Sequence, residues 1–463
     1  MLVAAIDQGS TRTKGALLDA AGQVVAEADR PVAACVDGVR VEHDPEEILA
    51  GVREVLAELR RAAPNGRPNA LALACQRSTC LVWERASGRP LTPAVSWQDR
   101  RAASQVAALD DHAAEVARRT GLRLSPHYAA PKLAGLLADL PRGVELAAGT
   151  LDAFLVRRLA GVDATEPGHA GRTLLYDVER GAWDPWLCDL FGVPAEALPA
   201  LRPSAGFWGE IDGVPLLAVL GDQQAALLGH GGWEEGVVAV HFGTGAFVLA
   251  ATGTRLLRHD GLLTAVLAAT SAGRRFQLEA SVNSAGSAVD WACRLTGERI
   301  EDWGDRALEP ERLPLVLPAF TGAAAPWWRA EAGGVVAGLN LAAGGAELLA
   351  GVLAGVAMRV LDGVEALAEA GVAARVLRLS GKLAGLAGLS GLLADAGGLP
   401  VEVAAAEETG LLGASRLVFA ELNSAEPSGN APIRSRREPG WPLKRARAVR
   451  DRWRAFAAAA LEL

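Results

Sequence analysis

Residues 4–19 place a turn of small hydroxylated residues between two apolar strands: Ala4-Ala5-Ile6-Asp7, then Gln8-Gly9-Ser10-Thr11-Arg12-Thr13-Lys14, then Gly15-Ala16-Leu17-Leu18-Asp19. The pattern predicts a β-hairpin whose turn exposes backbone N–H groups and hydroxyls, with a carboxylate at its root. Successive N–H groups in a tight turn form a concave anion site, and a nearby carboxylate can hold a hydrated Mg²⁺. Taken alone, the segment reads equally as an ordinary hairpin in which Gly and Ser serve only the turn. The design recurs, however, at Val237-Val238-Ala239-Val240-His241-Phe242-Gly243-Thr244-Gly245-Ala246-Phe247-Val248-Leu249-Ala250. Two halves that each open on such a hairpin predict a duplicated fold with a cleft between the copies.

The length of 463 residues exceeds what one core serves, and two domains follow, with the boundary expected between residues 1–230 and 231–463. The first half alternates strand signals (2–6, 16–19, 71–74, 216–220) with helical patterns (45–61, where Asp44 is placed as a cap, and 100–119), which implies α/β layering around a parallel or mixed sheet. In the second half a helical pattern covers 346–370, a strand follows at 376–379, a turn at Ser380-Gly381-Lys382, and then a helix. Residues 423–442 read as a polar loop or mobile segment, and 443–461 as a helix that packs back on the body.

A net charge of −8 argues against nucleic acid as the main partner. Positive charge is nearly all Arg, the only lysines being Lys14, Lys132, Lys382 and Lys444; an ammonium and a guanidinium are not interchangeable, so each position invites a question. The five cysteines are scattered without metal-ligand spacing, as expected of free thiols in a reducing compartment. No charged leader precedes the first strand, and the most apolar runs, 237–252 and 335–361, are interrupted by His241, Asn340 and Glu347. The expectation is a cytoplasmic protein that does not span a membrane.

Several segments together resemble the FGGY family of carbohydrate kinases, and most of all its glycerol kinase branch. They are Asp7-Gln8-Gly9-Ser10-Thr11, Cys75-Gln76-Arg77-Ser78-Thr79, Trp97-Gln98-Asp99-Arg100-Arg101, Gly149-Thr150-Leu151-Asp152, Gly221-Asp222-Gln223-Gln224-Ala225-Ala226-Leu227, Phe242-Gly243-Thr244-Gly245 and Pro318-Ala319-Phe320-Thr321-Gly322. Their order and spacing hold from residue 1 to about residue 420. The resemblance implies two actin-like ATPase (ribonuclease H-like) domains around an active-site cleft. It further implies ATP and Mg²⁺, a small polyol or sugar as substrate, and a homo-oligomer.

By the same resemblance, Asp222 is the general base that accepts the proton of the attacking hydroxyl, at the cleft end of an apolar strand; outside this context a lone Asp there reads as a helix cap. Asp7, with Asp222, would hold the metal. Gly9, Ser10, Thr11 and Lys14 from the first hairpin, and Gly243 and Thr244 from the second, would meet the phosphates. Gly286, Asp290, Gly381 and Lys382 would line the remainder of the nucleotide site. No Gly-x-x-x-x-Gly-Lys-Ser/Thr loop occurs, which excludes a P-loop mechanism.

The polyol pocket would be made of Arg77, Ser78, Trp97, His127, Asp222, Gln223 and Phe247. Here the chain departs from the family. Ser78 stands where the family has Glu, and His127 where it has Tyr. Loss of that carboxylate, if unreplaced, removes a charge-assisted hydrogen bond of about 1.5–3 kcal/mol. The alternative for His127 is simple packing beside Pro126 and Tyr128. On the nucleotide side Lys382 replaces a Gly, Leu386 an Asn and Asp290 a Gln; Lys382 either crowds the backbone approach or turns its ammonium to a phosphate. Lys132 matches a family Lys and reads as a structural salt-bridge partner. Two functions follow: an ATP-dependent kinase of a small polyol, glycerol first, or a catalytically weak relative acting as a metabolite sensor or scaffold.

Overall fold

The computed structural model describes every residue except 141–144, 407 and 430. Its two central sheets repeat one design. In the first, strands Leu2–Gln8, Arg12–Asp19, Val24–Pro31, Ala70–Cys75 and Val214–Gly221 lie in the spatial order third, second, first, fourth, fifth, with the short strand Glu210–Ile211 at one edge. In the second, Val237–Phe242, Ala246–Gly253, Gly273–Val282, Val376–Gly381 and Val401–Ala404 take the same order, extended by Leu263–Thr270 and Ile433–Arg437 at the two edges. In both, the first strand pairs antiparallel with the second and parallel with the fourth. This is the duplicated actin-like α/β fold. Parallel strands covered on both faces read as unbroken apolar runs, and all six residues of Ala70–Cys75 are buried.

Helix Pro45–Ala62 covers the outer face of the first sheet. Asp44 caps it by accepting from the Glu46 and Glu47 amides at 2.8 and 3.4 Å, and Ile48, Leu49, Val52, Val55 and Leu59 form its buried stripe. The long helix Gly345–Glu369 does the same for the second sheet. The C-terminal helix Leu443–Ala460 returns to it through Trp453, whose indole N–H reaches both oxygens of buried Asp362 at 3.1 Å.

A third core lies between the domains. Ala5, Ala72 and Leu220 of the first sheet and Ala239, Leu249 and Ala251 of the second bury against helices Asp222–Gly229 and Thr409–Leu422. These two helices touch backbone to backbone. A Cβ added at Gly229 would lie 1.9 Å from the Thr409 carbonyl, and one at Gly413 1.8 Å from that of Ala225. The contact fixes the start of one helix, Asp222, relative to the residue before the other, Glu408.

Three expectations are corrected. The pattern over 100–119 breaks into Ala103–Ala107, a turn at Asp110–His112, and Ala113–Thr120. Its buried apolar residues, Ala102, Val106 and Val116, would fit one helical stripe, but adjacent Asp110 and Asp111 are weak helix formers that favour turns, and the chain turns there. Ser380 and Gly381 belong to the strand rather than to a turn: Gly381 has φ 88°, and a Cβ there would meet the Phe242 carbonyl at 2.1 Å. The segment 423–442 contains the edge strand Ile433–Arg437, held antiparallel on Val401–Ala404, with the Arg436 guanidinium 2.6 Å from Glu402. Its arginines suit an edge that faces water. The five cysteines are free, and among the described residues no helix is long and apolar enough to cross a membrane.

Candidate active site

Register decides which side chains face the cleft. Along each strand alternate residues share a face, so Val3, Ala5 and Asp7 point with Lys14, Ala16 and Leu18 toward the second domain. In the second sheet His241 pairs with Phe247 and with Ser380, and Leu249 with Glu279. Phe247, His241, Ser380 and Glu279 therefore share the face that looks back at the first domain.

Asp7 and Asp222 meet at the floor of the cleft. Asp7 Oδ1 is buried with no hydrogen-bond partner among the described residues. Burial, then the nearby Asp222 and Glu408 carboxylates, push the Asp7 carboxyl up to about 7, against the opposing pull of Lys14. Asp222 opens its helix; its Oδ1 accepts from the Gln223 amide at 2.7 Å and lies 3.4 Å from Arg77 Nε. Crowded carboxylates of this kind favour a proton or a cation between them. No group of three or more metal-ligating side chains is present among the described residues. A Mg²⁺ here would thus take one or two carboxylates and fill its octahedron with water and phosphate, which is how that ion is ordinarily held.

On one side of this floor stand the two hairpins. Gly9 N donates to the Arg12 carbonyl at 2.9 Å and Gly243 N to that of Gly245 at 2.8 Å, closing both turns. Ser10 is half-buried, whereas Thr11, Gly243 and Thr244 are exposed at their tips. Lys14 pairs with Glu408, so the cation at the first hairpin is already joined to the second domain. Gly286 begins helix Gly286–Thr296, whose first amides donate to the Gly243 and Thr244 carbonyls and brace the second turn. Asp290 is exposed further along that helix, and Lys382 is exposed where the strand ending at Gly381 passes into the short helix Lys382–Gly385.

On the other side lies the expected polyol pocket, assembled by the loop after strand Ala70–Cys75. Gln76 Nε2 donates to Gln8 Oε1 at 3.1 Å and to the Gly9 carbonyl at 3.2 Å. Thr79 Oγ1 donates to Gln76 Oε1 at 2.8 Å and accepts from the Trp97 amide at 3.2 Å. One hydrogen-bonded run thus ties the first hairpin to the pocket wall. Trp97 and His127 stand with ring centroids 5.4 Å apart, and Tyr128 meets the other side of His127 at 5.0 Å. His127 therefore packs against both Trp97 and Tyr128. Burial and the neighbouring cations Lys132, Arg172 and Arg77 hold its imidazole down to about 3, so it is neutral. Phe247 and Gln223 are half-buried, and Gln223 Oε1 has no partner among the described residues.

Arg77 is buried. It donates through both terminal nitrogens to Glu279, at 2.8 and 3.4 Å, and Arg172 binds the same carboxylate. The two guanidiniums outweigh the cost of burial and hold Glu279 down to about 2. A carboxylate therefore still stands beside Arg77, supplied by the second domain rather than by position 78. Ser78 is buried with φ 65°, and its hydroxyl lies 3.5 Å from the Arg172 carbonyl.

Lys132 is not a salt-bridge partner. Its ammonium, buried and with its pKa lowered by desolvation, donates to the carbonyls of Ser96 (2.9 Å), His127 (3.0 Å) and Ser78 (3.5 Å). Those three carbonyls belong to the three loops that carry Trp97, His127 and Arg77. The sequence reading also missed Glu279, Arg172, Glu408 and His241. For Glu279 a signal existed, since a lone carboxylate inside Gln277-Leu278-Glu279-Ala280 is the buried charge that calls for a partner. For the others spacing held none.

The N-terminal domain model of the FGGY family of carbohydrate kinases matches residues 2–229, and its C-terminal domain model matches residues 238–421. Glycerol kinase of Thermus brockianus is 40% identical over 89% of this chain and 88% of its own. A glycerol kinase of Cereibacter sphaeroides is 35% identical over 97% of each. Among solved structures, Plasmodium falciparum glycerol kinase with ADP superposes with a TM-score of 0.91 at 23% identity, covering 99% of this chain and 98% of that one. The xylulose kinase of Rhodospirillum rubrum reaches 0.88 at 21%, covering 99% of each; both likenesses speak for the fold.

Proposed function

Because this chain belongs to the FGGY family of carbohydrate kinases, enzymes that transfer a phosphoryl group from ATP to an alcohol, we propose that its acceptor is a small polyol, glycerol first, and that Asp222 is its general base. The observation that carries this is the placement of Asp222. It lies 3.4 Å from Arg77 Nε and close enough to Asp7, at the root of the first hairpin, to raise that carboxyl. The 35–40% identical relatives named glycerol kinase support the choice of polyol.

A polyol between Trp97, His127 and Phe247 would present apolar C–H groups to the rings and hydroxyls to Arg77 and Gln223 Oε1. Asp222 takes the proton of the attacking hydroxyl as its oxygen bonds to the γ-phosphorus; the bond from that phosphorus to the β–γ bridging oxygen breaks, and ADP leaves. The turns at Gly9–Thr11 and Gly243–Thr244 and the Lys14 ammonium hold the phosphates in line, with Gly286, Asp290, Gly381 and Lys382 along the rest of the nucleotide. Asp7 and Asp222 would hold Mg²⁺, which when bound neutralises charge on the transferring phosphates. The domains are taken as 1–230 and 231–463, and the free cysteines suit a reducing cytoplasm.

Phosphoryl transfer from MgATP across a panel of polyols and sugars, with Asp222→Asn as control, tests the reading. Glycerol should give the highest kcat/KM, and the control should lose about 10²–10⁴-fold in kcat. An unchanged control, or polyol binding without any nucleotide binding, would overturn it; the latter is what a sensor would show.

A further inference from the structure

His241 holds in the second sheet the place that Asp7 holds in the first: the last residue but one of the first strand, on the face toward the cleft. The transfer chemistry above makes no use of it. Its Nδ1 lies 3.0 Å from Ser380 Oγ, and the same hydroxyl lies 3.0 Å from Nε2 of His230. His230 caps the C-terminal end of the helix that Asp222 begins. Three side chains therefore form a hydrogen-bonded line from the first domain into the second. At its far end His241 Nε2 faces the phosphate turn, lying 3.9 Å from where a Cβ on Gly243 would stand.

The protons in this line follow from counting. A serine hydroxyl has one proton, so it donates to one imidazole and accepts from the other. If His241 donated from Nδ1, Ser380 would donate to His230 Nε2, and neutral His230 would carry its proton on Nδ1. That nitrogen is buried with no partner among the described residues, and an orphaned buried N–H is the defect that folded proteins most avoid. In the opposite order His230 donates from Nε2, Ser380 donates to His241 Nδ1, and the buried His230 Nδ1 is only a bare lone pair. Neutrality holds for both rings: burial, then His241, Arg378 and Arg416, keep His230 down to about 3, and burial lowers His241 although Asp222 and Glu408 oppose it and Lys14 assists. The favoured order leaves the His241 proton on Nε2, facing the turn.

We propose that His241 is a further phosphate ligand, a neutral imidazole whose Nε2–H donates to the polyphosphate of the nucleotide. His230 and Ser380 are positioning residues that fix its tautomer. The inference rests on the reading that the turn at Gly243–Gly245 receives nucleotide phosphates. A neutral donor adds a hydrogen bond there without placing a positive charge that would compete with a metal for Asp7 and Asp222. It also ties the phosphate contact to the helix that carries the base.

Long-range ¹H–¹⁵N spectra of the ¹⁵N-histidine-labelled full chain read the tautomer directly. His241 should show a protonated Nε2 and a bare Nδ1 in the free protein, and MgADP should shift the Nε2–H signal. Ser380→Ala should mix the tautomers and raise KM for MgATP about 10-fold with KM for the polyol unchanged; Ser380→Thr should restore both. His241→Phe should raise the same KM with the fold retained by circular dichroism, and His241→Gln, which keeps a side-chain N–H, should recover part of the loss. A protonated Nδ1, or a His241 signal unmoved by MgADP that calorimetry shows to be bound, overturns this inference alone. Absence of any nucleotide binding by the wild type overturns it together with the kinase reading.

Discussion

Arg77 and Glu279 pair across the domain boundary through two hydrogen bonds, at 2.8 and 3.4 Å, while Arg77 Nε lies 3.4 Å from Asp222. Arg172 closes the group from the other side. The Arg77 loop, Asp222 and the second sheet are thus one electrostatic unit. Glu279→Gln keeps the volume and removes the charge, leaving buried Arg172 without this counterion and Arg77 with Asp222 alone. Breaking a buried pair in this way costs about 3–5 kcal/mol. The variant should lose that much stability in urea titrations and bind polyol more weakly as Arg77 relaxes; a loss below about 1 kcal/mol would show that water reaches the pair.

Two carboxylates give this protein opposed pH dependences. Glu279 is held down to about 2 from an ordinary 4.5, so its contribution is fully present above about 4.5 and is lost as the pH falls from there through 2. Its magnitude is about 3 kcal/mol. Asp7 is the reverse case, raised to about 7 from 3.8. Between those values the folded state binds more protons than the unfolded one, so stability falls as the pH rises, at up to about 1.4 kcal/mol per unit. Asp7→Asn should therefore be more stable than the wild type at pH 8 and lack phosphoryl transfer. Mg²⁺ binding near pH 6 should release a proton in the wild type only. Urea titrations from pH 4 to 8, and calorimetry in buffers of different ionisation enthalpy, measure both effects.

The legible parts of the chain were those fixed by local chemistry. Asp44-Pro45 announced its helix because cap, proline and apolar stripe agree within a few residues. The paired hairpins announced the duplication because a strand, a small-residue turn and a strand recur in one order. What stayed hidden depends on contacts distant in sequence. Glu279 acquires its role only when register turns it toward Arg77, more than two hundred residues earlier, and Glu408 only when its helix crosses to Lys14. Strand Ile433–Arg437 was illegible because an arginine-rich edge strand carries no apolar alternation; its neighbour supplies the order. Lys132 suggested a salt bridge because cations usually find carboxylates, whereas its partners are three carbonyls that no sequence pattern marks.

Ser78 adopts φ 65° without being glycine, a conformation that costs an L-residue roughly 1–2 kcal/mol. Among the described residues its hydroxyl reaches only the Arg172 carbonyl, at 3.5 Å, a weak return. Ser78→Gly should accordingly be neutral or more stable by about 1 kcal/mol, with the polyol KM unchanged because Arg77 and Glu279 keep their pairing. Steady-state kinetics beside thermal melts decide this; a polyol KM raised tenfold would make the hydroxyl itself a substrate contact.

Lys132 joins the loops of Arg77, Trp97 and His127 through one ammonium. Its position predicts an effect confined to one substrate. Lys132→Met fills the same volume, yet it leaves three buried carbonyls without their charged donor. Each such bond is worth about 1.5–3 kcal/mol and an orphaned acceptor costs about 1–3 kcal/mol, with partial relief as the loops relax toward water. The loops should then drift apart, opening the Trp97–His127 wall from its 5.4 Å spacing. The polyol KM should rise about tenfold or more, and kcat should fall with the looser acceptor geometry. KM for MgATP should hold, because both hairpins keep their own hydrogen bonds. Lys132→Arg should rescue poorly, since a planar fork cannot meet three carbonyls converging on a point. A variant in which both Michaelis constants rise together would instead make Lys132 a support for the whole first domain.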